Sequence, residues 1–219
     1  MTLTRFIVLA NSYKHGDYCL AGIEPATGRW VRPVSELPDG RIPKSLMESK
    51  LQGYFPKLLD IVEMPLANSG PDFGFARENR SILPGDWWLV GQAEIKDAAR
   101  FACDPLFVMH NRKKFVTVDE MQQKRPSDRM TLQLIRVNDF SATHEQVLDK
   151  HECRGDITTG GSRIQVPITD PDFIDQLSKG HRPAKNCLLT VSIGMPYPPP
   201  GWTDSPPCWK LIAAVIELT

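Results

Sequence analysis

A polar loop near the start of the chain carries residues that could bind an anion. Ser12, Lys14, His15 and Gly16 follow an apolar run over residues 6–10, which is typical of a buried strand. A hydroxyl, an ammonium and backbone N–H groups at a glycine-containing turn suit a phosphate. The loop lacks the G-x-x-x-x-G-K-S/T pattern, so it does not predict nucleotide hydrolysis. A solvated turn is the alternative interpretation.

A second candidate lies in a strand-like segment that follows. Trp30 and Arg32 stand two positions apart, so their side chains share one face of a strand. An indole can stack on a base, and a guanidinium can contact a phosphate or a base edge. Pro33 indicates a strand edge or end, where Arg32 would be accessible. The alternative is a core tryptophan with an arginine at the rim of a barrel.

Catalytic and metal-ligating patterns are weak in this sequence. Cys19 would need a neighbouring base such as His15, and a cysteine among apolar strand residues is more often inert. His144, His151 and Cys153 lie close in sequence, but their spacing matches no zinc signature. We therefore expect no catalytic residues, no metal and no cofactor, and we favour a binding protein over an enzyme.

The composition is that of a soluble globular protein. Of 219 residues, 41% are hydrophobic and 24% charged, and 26 basic residues balance 26 acidic ones. This balance argues against a strongly basic polyanion-binding domain, although it allows a local basic groove. No apolar run reaches the roughly 18–20 residues that span a bilayer, so no membrane partner is expected. Five scattered cysteines and no export signal predict a cytoplasmic location.

Short apolar segments separated by proline- and glycine-rich turns dominate the chain. They predict about nine or ten strands and two or three short helices, the helices at residues 42–51, at 94–107 and after 169–170. This order favours barrels or sandwiches over a doubly wound sheet. The predicted fold class is mainly β with minor α. Two tandem oligonucleotide/oligosaccharide-binding (OB)-like small β-barrels, packed together, fit the length: residues 1–125, with an inserted loop and helix, and residues 126–219.

Several segments resemble one known family, in order along nearly the whole chain. They are F-I-V-L-A-N-S-x-K-x-G-x-x-C-x-A-G from Phe6, W-V-R-P-V-S from Trp30, L-L-D-I-V-E-x-P-L from Leu58, Glu78-Asn79 before Trp87, V-x-I-T-D-P from Val166, and K-L-I-A-A-V-I from Lys210. This pattern resembles the bacterial dual OB-containing domain proteins. The resemblance implies two OB-like barrels and an expectation of nucleic-acid or nucleotide binding, and it implies no reaction.

We predict a binding module for single-stranded nucleic acid or a nucleotide, acting as a sensor or adaptor in a bacterial nucleic-acid-related or defence system. Aromatic side chains would stack on bases, and cations would contact phosphates, so affinity should fall with salt. The predicted ligand-binding residues are Ser12, Lys14, Trp30, Arg32, Glu78, Asn79, Trp87, Arg163 and Lys210.

Two alternatives remain open. An enzyme acting on nucleic acid or a modified nucleotide would use the loop at residues 11–19, and it would need that loop and Glu78 to converge in one pocket. A protein-interaction subunit would dock through the proline-rich loop at residues 195–207, which contains Tyr197 and Trp202. A large exposed apolar patch on that loop, without a concave pocket elsewhere, would favour docking.

Overall fold

The chain is mainly β and divides into two compact units. The computed structural model describes residues 3–14, 16–147 and 150–218, with the backbone alone at residues 14, 145–147, 150 and 151. These residues form thirteen strands and four short α-helices. The first unit ends at Phe101 and the second begins at Ala102. Within the described ranges, no helix is long and apolar enough to cross a membrane.

The first unit contains a five-stranded barrel. Its elements are β1 (Leu3–Lys14), β2 (Asp17–Ile23), β3 (Trp30–Val34), α1 (Lys44–Lys50), β4 (Asp60–Pro65), β5 (Asn79–Ser81), β6 (Trp88–Gln92) and α2 (Ile95–Ala99). The strand order is β5-β3-β2-β1-β4-β6, with only the β3–β5 pair parallel. An antiparallel bridge between Leu66 and Ile82 joins the ends of β4 and β5. It closes the ring β1-β2-β3-β5-β4, the OB arrangement, with α1 between β3 and β4.

The first strand serves two neighbours because it is long and irregular. Residues from Leu3 to Ile7 pair with β4, and residues from Ile7 to Lys14 pair with β2. The register shifts between Val8 and Ala10, and such a bulge bends a strand and increases its twist. One strand can therefore run along both sides of a small barrel.

The second unit repeats this plan. Its elements are β7 (Phe115–Thr117), α3 (Val118–Gln122), a 3-10 helix (Pro126–Asp128), β8 (Leu132–Val137), β9 (Ser141–Val147), β10 (Lys150–Thr159), β11 (Ser162–Pro167), α4 (Pro171–Ser178), β12 (Cys187–Pro196) and β13 (Pro207–Glu217). The sheets are β11-β10-β9 and β7-β13-β12-β8, and a parallel bridge between Ile168 and Ile212 connects them. Together β8 and β9 replace the single bent β1, since β8 pairs with β12 and β9 with β10.

The helix of the second barrel begins as the sequence predicts. Asp170 is its N-cap, and one carboxylate oxygen accepts from Phe173 N at 3.1 Å while the other accepts from Val215 N at 3.0 Å. Pro171 occupies the first helical position, where a missing N–H costs nothing. Burial raises the pKa of Asp170 to about 6. The cap therefore attaches α4 to β13.

Two features of the fold differ from the expectation. The unit boundary follows Phe101, whereas the sequence placed it after residue 125, because β7 pairs with β13 of the second unit. The helix expected over residues 94–107 covers only Ile95–Ala99. The predicted helix at residues 42–51 is confirmed as α1.

Each barrel has a glycine on its second strand, at a point where another segment of the same chain approaches closely. A Cβ on Gly22 would lie 2.0 Å from Ile7 O, and a Cβ on Gly155 would lie 2.4 Å from Ile212 Cδ1. Gly22 pairs with Val31 of β3, and Gly155 pairs with Val166 of β11. The two glycines therefore lie at equivalent positions in the two barrels. The barrels close tightly here because no side chain intervenes.

The Gly22→Ala substitution is expected to destabilise the protein. Its Cβ would meet backbone that is fixed by the β1–β2 pairing, so the cost should be about 2–3 kcal/mol. Urea unfolding measures this change. The control is Gly194→Ala, because a Cβ there would be 3.6 Å from its nearest neighbour, Trp209 O. Equal stability of the two variants would contradict the account of barrel closure.

Candidate nucleic-acid interface

The outer face of β9, β10 and β11 is open and polar. Along β10, Cys153, Gly155 and Ile157 are buried and point inward, so Arg154 and Thr158 point outward. OB barrels bind oligonucleotides on the face formed around their second and third strands, which are β10 and β11 in this unit. The second barrel therefore presents the surface that this fold uses for binding.

Hydroxyl, amide and guanidinium groups cover this surface. In the strand register, Arg154 lies beside Thr143, Asp156 lies between Ser141 and Gln165, and Thr158 lies beside Arg163. Four to five residues along the strands and three strands across give an area of about 13 by 10 Å. We call this surface the β9–β11 face and define it by Ser141, Thr143, Arg154, Thr158, Arg163 and Gln165.

Arg163 forms a two-pronged ion pair on the β9–β11 face. Its Nη2 lies 3.0 Å from Asp156 Oδ2, and its Nε donates to Asp156 Oδ1 at 3.2 Å. The hydrogen bond that Arg163 donates to the Asp156 carboxylate raises the pKa of Arg163, so the guanidinium stays charged. The arginine side chain is 66% exposed, against 12% for the aspartate. Asp156 thus orients a guanidinium that solvent and ligands can reach.

Arg154 has a looser acidic partner. Its Nη2 lies 3.0 Å from Glu152 Oε2, and both side chains are more than a third exposed. An exposed pair of this kind contributes little stability. A phosphate could therefore replace the Glu152 carboxylate at small cost.

The corresponding face of the first barrel is closed. Ile7, Ala21 and Ile23 point away from the barrel interior, yet each is only 2% exposed. Trp30 lies directly opposite Ile23 and is half-buried. Trp30 is therefore on the predicted face, but its neighbours offer no open platform beside it.

Arg32, Glu78 and Asn79 come together at the parallel β3–β5 pair. Arg32 Nη1 lies 3.3 Å from Glu78 Oε1, and Arg32 N donates to Glu78 O at 2.8 Å. Asn79 is 1% exposed, and its Nδ2 donates to Pro71 O at 2.7 Å. Asn79 thus stabilises the loop before β5.

The loop that the sequence predicts to bind an anion lies apart from this group. Ser12 pairs with Cys19, four residues along β2 from Ile23, which places it roughly 13 Å from the position opposite Trp30. Lys14 is the last residue of β1, and its side chain, like the whole of His15, lies outside the described residues. The sequence grouped these residues with Trp30, and the strand register separates them.

Two further predicted ligand-binding residues are buried, besides Asn79. Trp87 is 4% exposed and packs in the core of the first barrel with residues such as Phe6 and Met64. Lys210 is fully buried, and its Nζ donates to Val108 O at 2.7 Å and to Asn111 O at 2.7 Å and Oδ1 at 2.9 Å. An ammonium has three N–H donors, so these bonds occupy all of them. Neither side chain belongs to an accessible surface.

The proline-rich loop keeps one aromatic residue exposed and packs another. Tyr197 is 72% exposed, whereas the Trp202 ring lies 5.3 Å from Phe115 and 6.4 Å from Trp209. The Trp202 Nε1 donates to Ser205 O at 3.1 Å. Since a concave pocket exists elsewhere in this unit, lined in part by His110, the condition set for the docking alternative is not met.

Three of the five cysteines are buried in the described structure. Burial raises the pKa values of Cys153, Cys187 and Cys208, the last two to about 12 and 11. A raised pKa keeps a thiol protonated and unreactive. No group of three His, Cys, Asp or Glu side chains in those ranges could hold a metal ion.

Sequence reasoning missed most of the β9–β11 face. Of the residues that define this face, only Arg163 is among the predicted ligand-binding residues. A period of two was present, because Cys153, Gly155 and Ile157 alternate with Arg154, Asp156 and Thr158. Because Gly155 interrupts the apolar residues that point inward, this alternation does not stand out as a strand in the sequence.

The fold now defines the class of protein: two OB-like barrels in one chain. The chain belongs to the Dual OB-containing domain family, whose model matches residues 4–215. No curated protein sequence matches it.

Two solved structures are similar over the full length of the chain. One is a crystal structure of tetrameric p202 HIN2, at 7% identity, 94% coverage of that chain and a TM-score of 0.34. The other is a murine DNA-binding protein bound to double-stranded DNA, at 8% identity, 100% coverage and a TM-score of 0.32. Likeness at this level carries no argument about what this chain binds.

Proposed function

We propose that this protein binds single-stranded nucleic acid on the β9–β11 face of its second barrel. The observation that carries the proposal is an exposed OB surface with two guanidinium groups, Arg154 and Arg163, among hydroxyl and amide groups. We further propose that the protein acts as a sensor or adaptor in nucleic-acid metabolism or defence, rather than as a catalyst.

The extent of the face favours a strand over a single nucleotide. It spans three strands, and OB folds contact about 4–16 nucleotides each. A phosphate would displace Glu152 from Arg154 and would bind beside the guanidinium that Asp156 orients. Ser141, Thr143 and Gln165 can donate to further phosphate or sugar oxygens.

The binding should be sequence-tolerant. The members of the β9–β11 face contact phosphate and sugar through charge and hydrogen bonds, which carry no base information. We also propose that Trp30 and Arg32 of the first barrel contribute to binding, because a half-buried indole can still stack on a base through one face. Glu78 would compete with any phosphate for Arg32.

The first experiment is a fluorescence-anisotropy titration of labelled single-stranded DNA and RNA. It uses oligonucleotides of about 16 nucleotides at about 50 and 200 mM salt. Affinity should fall as salt rises, with a logarithmic slope of roughly −0.7 for each phosphate contacted. Absence of binding to both polymers at the lower salt concentration would overturn the proposal.

Glu152→Gln is expected to strengthen binding by roughly two- to five-fold, the range that an exposed ion pair allows. The amide keeps the shape of the side chain but no longer competes with phosphate for Arg154. Asp128→Asn is the matched control, since it removes one carboxylate from an exposed pair with Arg125, outside the face. An equal gain in both variants would mean that net charge, rather than this face, controls affinity.

A further inference from the structure

A separate concave pocket lies in the second unit, away from the residues of the β9–β11 face. It has a volume of about 320 Å³ and is lined by His110, Asn111, Val116, Glu120, Gln123 and Lys124. Pockets that bind small molecules begin near this size. The lining combines a cation, a carboxylate, an imidazole, two amides and an apolar valine. It is therefore a polar pocket with one apolar wall.

The backbone at one wall is held in a strained conformation. Met109 and His110 both have positive φ values, 44° and 58°, although neither is glycine. Residues in this region cost free energy, and they cluster at binding and catalytic sites. Two consecutive examples are therefore a reason to look for a ligand.

Two buried polar side chains hold that wall in place. The Lys210 ammonium binds Val108 O, Asn111 O and Asn111 Oδ1, and Gln133 Oε1 accepts from Met109 N at 2.8 Å. A buried ammonium is costly, so its use here indicates that the loop geometry matters. The bonds extend over both sides of the strained pair and fix the direction of His110 and Asn111.

His110 contributes a hydrogen-bond acceptor to the pocket. Its Nε2 lies 2.7 Å from Met130 O, and a carbonyl can only accept, so Nε2 carries a proton. Burial lowers the pKa of His110, and the nearby Lys124 and Lys210 lower it further. The ring is therefore neutral at pH 7, and its Nδ1 is an acceptor.

The charges around the pocket favour an anion. Glu120 is the acidic member of the lining, and it already binds Lys113 at 3.4 Å and accepts from Thr117 N at 2.9 Å. Lys124 forms no ion pair with any described residue, and Lys210 adds a third ammonium behind Asn111. Three ammonium groups thus face one carboxylate.

We propose that this pocket binds a nucleoside monophosphate, with the phosphate on Lys124 and the base edge on Gln123 and His110. The Gln123 amide offers both a donor and an acceptor, as base edges require. The aliphatic Val116 side chain can contact the flat face of a base or the sugar. None of the lining residues belongs to the β9–β11 face, so this site is distinct from the nucleic-acid surface proposed above.

Isothermal titration calorimetry with the four common nucleoside monophosphates tests the proposal. At least one should bind, and its unphosphorylated nucleoside should bind at least ten-fold more weakly. Lys124→Ala should reduce affinity for that monophosphate about ten-fold, the scale of one charge-assisted hydrogen bond. Lys179→Ala is the matched control, because it removes an exposed, ion-paired lysine at the C-cap of α4.

The outcomes separate this site from the β9–β11 face. Failure of all four monophosphates to bind at millimolar concentration would overturn the pocket proposal, and so would an unchanged affinity in Lys124→Ala. Arg163→Ala should leave monophosphate binding unchanged, whereas Lys124→Ala should leave oligonucleotide binding within two-fold. If Arg163→Ala alone abolished monophosphate binding, the ligand would belong to the β9–β11 face instead.

Discussion

Replacing Arg154 and Arg163 together by alanine is expected to weaken binding of single-stranded oligonucleotides by about 100-fold at low salt. Each guanidinium should contribute roughly ten-fold, as hydrogen bonds to charged groups do. The logarithmic salt dependence should become shallower by about 1.4, because two phosphate contacts are lost. Anisotropy titrations of the two single variants and the double variant, at several salt concentrations, measure both effects.

The controls separate geometry from charge. Arg125→Ala removes an arginine that is also exposed and ion-paired, and it should change affinity by less than two-fold. Arg163→Lys keeps the charge but loses the two-pronged contact, so it should keep the salt dependence and lose part of the affinity. If Arg125→Ala weakened binding as much as Arg163→Ala, the β9–β11 face would not be the binding surface.

Lys210→Met is expected to have the largest effect on stability. The substitution leaves Val108 O and both Asn111 acceptors without their donor, and it releases the strained loop of Met109 and His110. Removing one member of a buried polar network costs about 3 kcal/mol or more. Urea unfolding, followed by tryptophan fluorescence, should show a lower midpoint urea concentration for the variant than for the wild type.

An exposed lysine supplies the comparison for this loss. Lys179→Met, at the C-cap of α4, removes a side chain that is 72% exposed and should change stability by less than about 0.5 kcal/mol. If Lys210→Met were equally mild, the ammonium would not hold the loop.

The same lysine should also give a pH dependence. Burial lowers its pKa from 10.5 to about 8, so between these pH values the unfolded chain binds more protons than the folded one. Stability of the wild type relative to Lys210→Met should therefore rise from pH 8 to pH 10.5, by up to about 3 kcal/mol. The buried thiols of Cys187 and Cys208 lower stability at high pH in both proteins, so their effect cancels. If the free energy of unfolding of the wild type fell relative to that of Lys210→Met over this pH range, the pKa of Lys210 would not be lowered in the folded protein.

The barrels were predictable because local signals agree with the fold. The apolar run of β1 and the Asp170-Pro171 start of α4 each match one structural solution. The second-unit boundary was not predictable from local signals, since it depends on β7 pairing with β13, about 90 residues away in sequence.

The site was harder to predict because residue type does not determine burial. Trp87 and Trp88 are adjacent and identical, yet the first is 4% exposed and the second 43%. Lys210 has the same side chain as a surface lysine, but it lies inside the protein because the loop around Val108 supplies acceptors. Such placements follow from contacts between distant segments, which a single sequence does not specify.

A two-dimensional NMR titration of the labelled protein with single-stranded oligonucleotide tests directly whether nucleic acid binds on the β9–β11 face. The largest chemical-shift changes are expected on β10 and β11, at Arg154, Thr158, Arg163 and Gln165. They should disappear in the variant that replaces both arginines by alanine. Changes confined to residues outside the β9–β11 face, or binding without any change there, would contradict binding on this face.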